Sequence, residues 1–337
     1  MTTIHFANTN FELELASIKN IPEILTQLYF LPLLYAKERD GIVVDGMPKN
    51  FECNTFIFKD MNEKDYSGFD KVESWGYSLN VAKWAKERGL KYEMPPFDVV
   101  KNVNSKAYSF IHSPQLEGAK LLFNLNEAYE WLKVMPGKKV FKTCFGLSGR
   151  GHFLIENDVL NEKQLNLFLN REFSAKRPVI AEPWKERLFD FSTQWYLHKD
   201  TSIEYIGPTL LENSSFGSYM GTVAGCLNIP HLEEHKEVAL SLLEGVAKLG
   251  YFGFVGLDAM VIKGDILHPI VEMNARRTLG LCILQYQQKY FPNQQISLRF
   301  ERFSEGKKPL LPSEVYKNDH KITFMRNLYP LSSISEI

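Results

Sequence analysis

Apolar residues recur along the chain with two different periods, which predict a mixture of strands and helices. Short apolar runs rich in β-branched or aromatic residues predict strands at 41–45 (GIVVD) and 55–60 (TFIFKD). Residues 78–90 instead carry apolar side chains at helical spacing and reach Gly89 near their end, which predicts a helix. Strands that alternate with helices indicate an α/β unit over residues 1–103.

The pattern changes in the next part of the chain. Residues 126–137 predict a short helix that Asn126 caps and a Pro-Gly pair ends. The apolar run 138–145 (KKVFKTCF) and the run 151–158 (GHFLIEND) predict two strands of a hairpin. A helix over 161–173 and a strand that ends at Pro183-Trp184 complete this region, which we assign to residues 104–185.

A third region, residues 186–300, begins with two predicted strands around a polar turn. Residues 212–230 are rich in Gly and Ser and predict a long loop, and residues 230–250 form the clearest amphipathic helix. Two apolar strands around Lys263-Gly264-Asp265 then predict a hairpin. The charged segment 301–337 predicts an irregular C-terminal extension.

The hairpin loop after residue 145 contains three glycines at the spacing G-x-x-G-x-G. Such a loop can turn backbone N–H groups toward an anion. The spacing differs from the P-loop and dinucleotide fingerprints, both of which also need a helix after the glycines. The loop is therefore either a flexible connection or a phosphate-covering loop. Lys142 favours the second, since a strand lysine just before the loop can reach a phosphate, and Lys106 is either a second such cation or a solvated surface lysine.

The second hairpin carries a candidate metal site. Glu272 and Asn274 are two residues apart on one predicted strand and so share a sheet face, and hairpin pairing brings Asp258 close to them. Two carboxylates and an amide oxygen suit Mg²⁺, whose shell a substrate phosphate can complete. Arg276 shares this face and can clamp a carboxylate or phosphoryl oxygen. The alternative is a set of acids that face solvent.

The composition excludes several classes of protein. The 337 residues are 45% hydrophobic and 23% charged with a net charge of −1, which gives no indication of a nucleic-acid or membrane-surface partner. The four cysteines form no CxxC pair, so we expect free thiols in a reducing compartment rather than a zinc site. The apolar run 24–36 is interrupted by Thr, Gln and Pro, and no basic residue precedes Lys19. We therefore expect neither a membrane span nor a secretory signal, and a cytoplasmic location.

The order of these motifs resembles that of the ATP-grasp superfamily, in particular its carboxylate–amine ligases. The resemblance covers roughly residues 100–285, and its most specific part is GLDAMVIKGDILHPIVEMNARRTLG, similar to the superfamily's D…ExN metal-binding hairpin followed by arginine. It implies an α/β pre-ATP-grasp domain followed by an α+β ATP-grasp fold, in which two antiparallel-sheet subdomains grip the nucleotide. The subdomains correspond to residues 104–185 and 186–300.

The resemblance also implies roles for individual residues. The residues that it implies for ATP binding are Lys106, Lys142, Gly146, Ser148, Gly149, Gly151, Glu182, Pro183, Trp184 and Asp190. Of these, the lysines and the glycine loop contact the phosphates, the 182–184 segment holds the adenine, and Asp190 holds the ribose. Mg²⁺, or Mn²⁺ in its place, is bound by Asp258, Glu272 and Asn274. The catalytic residues are Arg276, which steadies the acceptor carboxylate or acyl phosphate, and Lys142.

The resemblance implies an ADP-forming ligase that activates a small-molecule or peptide carboxylate as an acyl phosphate for attack by an amine or thiol. Three alternatives stay open from the sequence: a small-molecule kinase with the same ATP site, a non-catalytic nucleotide-binding protein, and an α/β protein in which the motif matches are accidental. The identities of the carboxylate and of its acceptor, and the oligomeric state, are not fixed by the sequence, because fold does not determine substrate.

Overall fold

The computed structural model describes residues 2–16, 18, 23–49, 51, 53, 55–146, 151–156, 161–213, 219–302 and 306–331. The N-terminal part is built on a parallel sheet of strand order β4-β2-β1-β5. The first five strands are β1 Thr3–Phe6, β2 Gly41–Val44, β3 Met47–Pro48, β4 Ile57–Asp60 and β5 Lys71–Ser74. Every residue of β1 and β2 is buried, as expected of parallel strands that are covered on both faces.

Helices surround this sheet: α1 Phe11–Leu15, a 3₁₀-helical segment Glu23–Leu34, and α2 Leu79–Lys86. The hydroxyl of Ser78 caps α2 by accepting a hydrogen bond from the N–H of Val81 at 3.3 Å. The strands and the helix predicted in the first hundred residues are therefore confirmed, and with them the α/β character of this part.

The second sheet is antiparallel, with the order β6-β9-β7-β8. The strands of this sheet and the helices around them are, in chain order, α3 Phe97–Val103, α4 Lys106–His112, β6 Lys120–Leu122, α5 Leu125–Val134, β7 Lys139–Thr143, β8 His152–Ile155, α6 Glu162–Ser174 and β9 Val179–Pro183. The β7–β8 pair confirms the predicted glycine-loop hairpin. The predicted cap of α5 is wrong: the side chain of Asn124, not Asn126, accepts from the N–H of Glu127 at 3.0 Å.

The third sheet has seven antiparallel strands in the order β14-β13-β10-β11-β12-β15-β18. Its elements, with its two helices, are β10 Arg187–Leu197, β11 Ile203–Asn213, β12 Tyr219–Ala224, α7 Leu232–Lys248, β13 Gly253–Ile262, β14 Ile266–Asn274, α8 Leu279–Tyr290, β15 Ile296–Arg302 and β18 Arg326–Leu331. The prediction of a long loop over 212–230 is wrong for residues 219–224, which form β12. The Gly and Ser residues of this segment favour turns, but β12 is a strand with four consecutive buried positions.

The chain beyond residue 302 is also more regular than its charge predicts. Strands β16 Glu314–Lys317 and β17 His320–Thr323 form a hairpin that pairs with β3 of the N-terminal part, and β18 extends the seven-stranded sheet. The interpretation of this segment as irregular is therefore wrong. The segment connects the N-terminal part to the large sheet.

One large core joins the N-terminal part to the third sheet. It includes Phe11 and Leu31 from the first and Leu257 and Met273 from the last, all at most 2% exposed. A separate core, around Phe141 and Leu169, lies under the second sheet. The predicted class, an α/β domain followed by two antiparallel-sheet subdomains, is confirmed. None of the helices in the described ranges is both long and apolar enough to cross a membrane.

Candidate active site

A cavity of about 380 Å³ lies where the N-terminal part meets the two antiparallel sheets. One boundary, called here the sheet wall, carries polar residues of the antiparallel strands: Lys142, Asp190, Ser192, Asp258, Glu272 and Asn274. A second part of the lining, called here the N-terminal wall, comes from the first 75 residues: Thr9, Leu25, Leu28, Leu31 and Trp75. Lys106 and Arg276 also line the cavity.

The metal-type residues lie together on the sheet wall. Asp258 faces Glu272 directly across the β13–β14 pair, and Asn274 is two residues further along β14 on the same face. The Nδ2 group of Asn274 donates to Asp258 at 3.2 Å, and the Ser192 hydroxyl donates to the same carboxylate. Burial and then the neighbouring charge of Glu272 raise the pKa of Asp258 to about 7.

This donor set fits a magnesium ion. It offers two carboxylates whose mutual repulsion a cation relieves, and the bond from Asn274 Nδ2 does not occupy the amide oxygen. Among the described residues, no group of three or more His, Cys, Asp or Glu side chains is arranged to hold a metal. A magnesium ion at this position would also use the Asn274 oxygen and ligands from a substrate, as is typical of magnesium bound with a nucleotide.

Lys106 neutralises one of these acids. It is the first residue of α4, its backbone N–H donates to the Cys144 carbonyl at 3.0 Å, and its ammonium contacts the Glu272 carboxylate. Burial alone would disfavour both charges, but their attraction outweighs it, so that the pKa of Lys106 is raised and that of Glu272 lowered. The alternative of a solvated surface lysine does not hold for Lys106.

A second buried ion pair joins two strands of the second sheet. Lys142 on β7 lies 2.5 Å from Glu182 on β9, and both side chains are less than 10% exposed. Burial would raise the pKa of Glu182, but the Lys142 ammonium more than offsets it and the pKa is lowered. His268 on β14 lies near this pair, and its own burial lowers its pKa to about 4.

Of the residues proposed for adenine and ribose, Asp190 lines the cavity, whereas Glu182, Pro183 and Trp184 are not among its described lining residues. Asp190 on β10 accepts from Arg187 Nη1 at 3.2 Å and from Asn213 Nδ2 at 2.9 Å, and all three residues line the cavity. The N–H of Trp184 already donates to the Lys138 carbonyl, and its ring lies under the Lys138 and Arg187 cations at 4.9 and 5.3 Å. Pro183 ends β9 next to Glu182.

The ends of the glycine loop lie beside β7. Thr143 donates its backbone N–H to the Gly151 carbonyl at 2.9 Å. A Cβ atom at Gly151 would lie 2.1 Å from the Thr143 hydroxyl, so this position requires glycine. Gly146 is described as well, whereas Ser148 and Gly149 lie outside the described residues.

Arg276 connects the sheets to the N-terminal part. Its Nε donates to Glu12 Oε1 at 2.6 Å, and its Nη1 donates to the Arg277 carbonyl at 3.3 Å. Arg277 bonds Glu73 at 3.0 Å and stacks on Tyr35 at 4.2 Å. Two consecutive arginines after the metal-type strand therefore hold the N-terminal part against the cavity.

Several cavity residues escaped the sequence analysis. Thr278, which caps α8 through the N–H of Leu281, had a recognisable signal, because it stands directly before an apolar run. Ser192 and Asn213 lie on strands without any motif around them. For the N-terminal wall, the only regular feature of the sequence is the spacing of Leu25, Leu28 and Leu31, which are three residues apart.

Comparison with known proteins gives a consistent result. No family model matches the chain. Over 164 residues, the chain is 27% identical to the butirosin acyl-carrier protein–L-glutamate ligase of Niallia circulans, a match that covers 48% of this chain and 38% of that relative. The match thus spans less than half of the relative's length.

Solved structures match over nearly the whole chain. A structure from Archaeoglobus fulgidus attributed to the ATP-grasp superfamily has a TM-score of 0.57 at 11% identity, covering 99% of this chain and 100% of that one. The biotin carboxylase domain of 2-oxoglutarate carboxylase from Hydrogenobacter thermophilus, solved with MgADP and bicarbonate, has a TM-score of 0.57 at 12% identity over 98% and 85%. The chain has the ATP-grasp fold. The predicted resemblance to the ATP-grasp superfamily is thereby confirmed at the level of fold.

Proposed function

We propose that the protein is an ADP-forming ligase that uses ATP and Mg²⁺ to activate a carboxylate as an acyl phosphate for attack by an amine or thiol. One observation carries this proposal. A single cavity gathers two buried lysines, two carboxylates with an amide, and an arginine. These are the charges that phosphoryl transfer to a carboxylate needs.

The sheet wall suits the nucleotide. Lys106 and Lys142 are held in place by Glu272 and Glu182, so their cations need little ordering before they meet phosphate oxygens. Asp190, fixed by Arg187 and Asn213, offers acceptor oxygens to ribose hydroxyls. The ligase named in the curated relative and the MgADP-bound neighbour support the same assignment.

The metal ligands in this proposal are Asp258, Glu272 and the amide oxygen of Asn274. When bound, Mg²⁺ supplies positive charge that neutralises phosphate oxygens during transfer. Burial, and after it the repulsion between the two carboxylates, raises the pKa of Asp258, and a bound cation would relieve that repulsion, which supports this assignment.

The chemistry proceeds in two balanced steps. A carboxylate oxygen of the substrate attacks the γ-phosphorus, the bond from phosphorus to the β,γ-bridging oxygen breaks, and ADP leaves. An amine or thiol then attacks the acyl carbon, inorganic phosphate leaves, and the nucleophile loses its proton. Arg276 holds the carboxylate, and Lys142 offsets charge on the phosphoryl group, because both line the cavity.

The test supplies the protein with ATP, Mg²⁺, hydroxylamine and pools of amino acids and small carboxylic acids. Hydroxylamine is a small nucleophile that converts acyl phosphates into hydroxamates. We expect ADP release that depends on a carboxylic acid and on Mg²⁺, together with a hydroxamate identified by its mass. A stable phosphate ester of an alcohol, without hydroxamate, would instead identify a kinase. Nucleotide binding without turnover for any acid would indicate a non-catalytic protein.

A further inference from the structure

Glu272, one of the proposed metal ligands, is also contacted by a lysine. Lys106 begins α4, which packs against β14, the strand that carries Glu272. Its backbone N–H donates to the Cys144 carbonyl, and its ammonium contacts Glu272 Oε1. The side chains of Lys106 and Glu272 are only 11% and 29% exposed. Any metal ion that binds the Glu272 carboxylate therefore shares it with a largely buried ammonium group.

The other described cations of the cavity do not share a proposed metal ligand in this way. Each of them contacts an acid outside the proposed metal set: Lys142 with Glu182, Arg187 with Asp190, and Arg276 with Glu12. His152 also lines the cavity, but it is neutral near pH 7, because burial and the two lysines lower its pKa to about 4. Among the described residues, Lys106 is thus the cavity cation placed to compete with a metal.

The charge balance around Asp258 and Glu272 includes Lys106, Arg276 and Glu12. Lys106 and Arg276 act on both carboxylates, and Glu12 offsets Arg276 through a direct contact. When Asp258 is ionised, these two cations and three carboxylates leave one net negative charge. A divalent cation added to this set leaves one net positive charge, which is unfavourable in a buried place. The phosphates of a nucleotide offset that excess.

We propose that Lys106 makes the binding of a divalent cation at Asp258 and Glu272 depend on nucleotide. Its ammonium competes for the Glu272 carboxylate and repels a free divalent cation, and nucleotide phosphates offset the charges of both. The cavity then accepts the cation together with a nucleotide and resists free Mg²⁺. The inference rests on the proposed function, because that function assigns both nucleotide and metal to this cavity.

Mn²⁺ is the probe in the test, because its electron paramagnetic resonance signal in solution is lost when the ion binds a protein. Titration at pH 8, which favours ionised carboxylates, gives the Kd for Mn²⁺ alone. Calorimetry gives the Kd for the MnADP complex. We expect the unmodified protein to bind Mn²⁺ alone with a Kd above about 100 µM, since the ion meets the ammonium without phosphates.

Lys106→Met tests the competition directly. It should tighten the binding of Mn²⁺ alone roughly tenfold, because a like charge beside the ion is removed, and weaken that of MnADP roughly tenfold, because the proposed phosphate contact is lost. A merely structural role of Lys106 would weaken both. Lys106→Arg keeps the charge, so the binding of Mn²⁺ alone should stay weak.

The matched control is Lys142→Met. It also removes a proposed phosphate contact, but the partner of Lys142 is Glu182, which is not a proposed metal ligand. It should weaken MnADP roughly tenfold and leave the Kd for Mn²⁺ alone within about threefold. A cooperative thermal melt of each variant without ligand shows that it is folded.

The outcomes separate this inference from the ligase proposal. If Lys106→Met does not tighten Mn²⁺ binding, or if Lys142→Met tightens it equally, the inference is wrong. A Kd for Mn²⁺ alone below about 100 µM in the unmodified protein would also overturn it, whether or not the variants fold. Opposite changes in Lys106→Met, without hydroxamate from any acid, would support the inference while the ligase proposal fails. Hydroxamate formation with unchanged Mn²⁺ binding in Lys106→Met would give the reverse.

Discussion

The sheet wall pairs charge with charge, whereas the N-terminal wall presents three leucines, Trp75 and the Thr9 hydroxyl, which has no hydrogen-bond partner among the described residues. On the sheet wall Lys142 meets Glu182, and Glu272 meets Lys106, each pair built from strands or a helix of the antiparallel-sheet region. On the N-terminal wall a 3₁₀-helical segment supplies the apolar surface. Arg276 lines the cavity and connects the sheet region to the N-terminal part through Glu12.

This difference separates two tasks. Paired charges hold each other in fixed positions, so they can be preorganised for phosphate groups that are the same in every turnover. An apolar surface orients weakly but discriminates by burial, so it suits the choice of a substrate. We infer that the sheet wall determines the reaction and the N-terminal wall determines the substrate. Variants of the two walls should therefore fail in different ways.

The largest effect is expected at Glu272. Glu272→Ala removes a proposed metal ligand and leaves the Lys106 ammonium buried without its partner. We expect the rate of ADP formation to fall roughly 10³-fold, because the charge that neutralises the transferring phosphoryl group is lost. Initial rates at saturating ATP and acid measure this effect.

The matched control is Glu186→Ala, an exposed acid that pairs with Lys263 at the tip of the hairpin. It should leave the rate within about twofold of the unmodified protein, since an exposed ion pair contributes little. A Glu272→Ala rate as high as that of this control would contradict the metal assignment.

Arg276→Lys tests both regions in one variant, because Arg276 lines the cavity and also contacts Glu12 of the N-terminal part. Lysine keeps the charge but cannot bridge Glu12 and a substrate carboxylate with a planar fork. We expect kcat/KM for the acid to fall roughly 10²-fold while the KM for ATP changes less than about threefold. Steady-state kinetics in both substrates distinguish these values, with Arg171→Lys on the exposed face of α6 as the control. A larger change in the KM for ATP than in that for the acid would place Arg276 with the nucleotide.

The chemistry of the sheet wall follows from short-range signals in the sequence. Glu272 and Asn274 are two residues apart, which fixes a common face, and the tight turn at Lys263–Asp265 fixes their distance from Asp258. Lys142 was found because it stands just before the glycine loop. The pairing of Lys142 with Glu182 was not predicted, since β7 and β9 pair across an intervening strand and helix and no local pattern specifies that register.

The N-terminal wall could not be predicted, because its contacts are long-range. Glu12 and Arg276 are 264 residues apart, and nothing near either one indicates the other. In the sequence, Leu25, Leu28 and Leu31 belong to an interrupted apolar run, and a period of three is too close to the helical 3.6 to be distinguished over so short a stretch. Strand β12 was missed for a related reason, since its place between β11 and β15 outweighs the turn propensity of its glycine and serine neighbours.

A smaller effect is expected from the second ion pair. Lys142→Ala leaves Glu182 buried without its lysine partner, and we expect the KM for ATP to rise roughly 30-fold because the proposed phosphate contact is lost. The double variant Lys142→Ala/Glu182→Gln removes the unpaired charge, so its melting temperature should recover while its KM for ATP stays high. The exposed Lys133→Ala is the control. Recovery of ATP affinity in the double variant would show that Lys142 only balances Glu182.

The smallest expected effect is on stability at acidic pH, and it involves His268, which lies near the Lys142–Glu182 pair. Burial lowers the pKa of His268 from 6.5 to about 4, so the folded protein keeps this imidazole neutral while the unfolded chain protonates it. Its contribution to stability is therefore complete above pH 6.5 and is lost as the pH falls from 6.5 toward 4. Between pH 7 and 5.5 the loss amounts to about 1 kcal/mol.

His268→Gln should remove that part of the pH dependence, which urea unfolding at the two pH values measures as a smaller difference in unfolding free energy. The exposed His320→Gln is the control and should leave the difference unchanged, because this side chain is in solvent in the folded protein as well as in the unfolded chain. The N-terminal wall, as defined by its five lining residues, contains no histidine, so Leu28→Gln should also leave the slope intact while it changes substrate use. If Leu28→Gln changed the pH dependence of the unfolding free energy and His268→Gln did not, the two walls would not act independently.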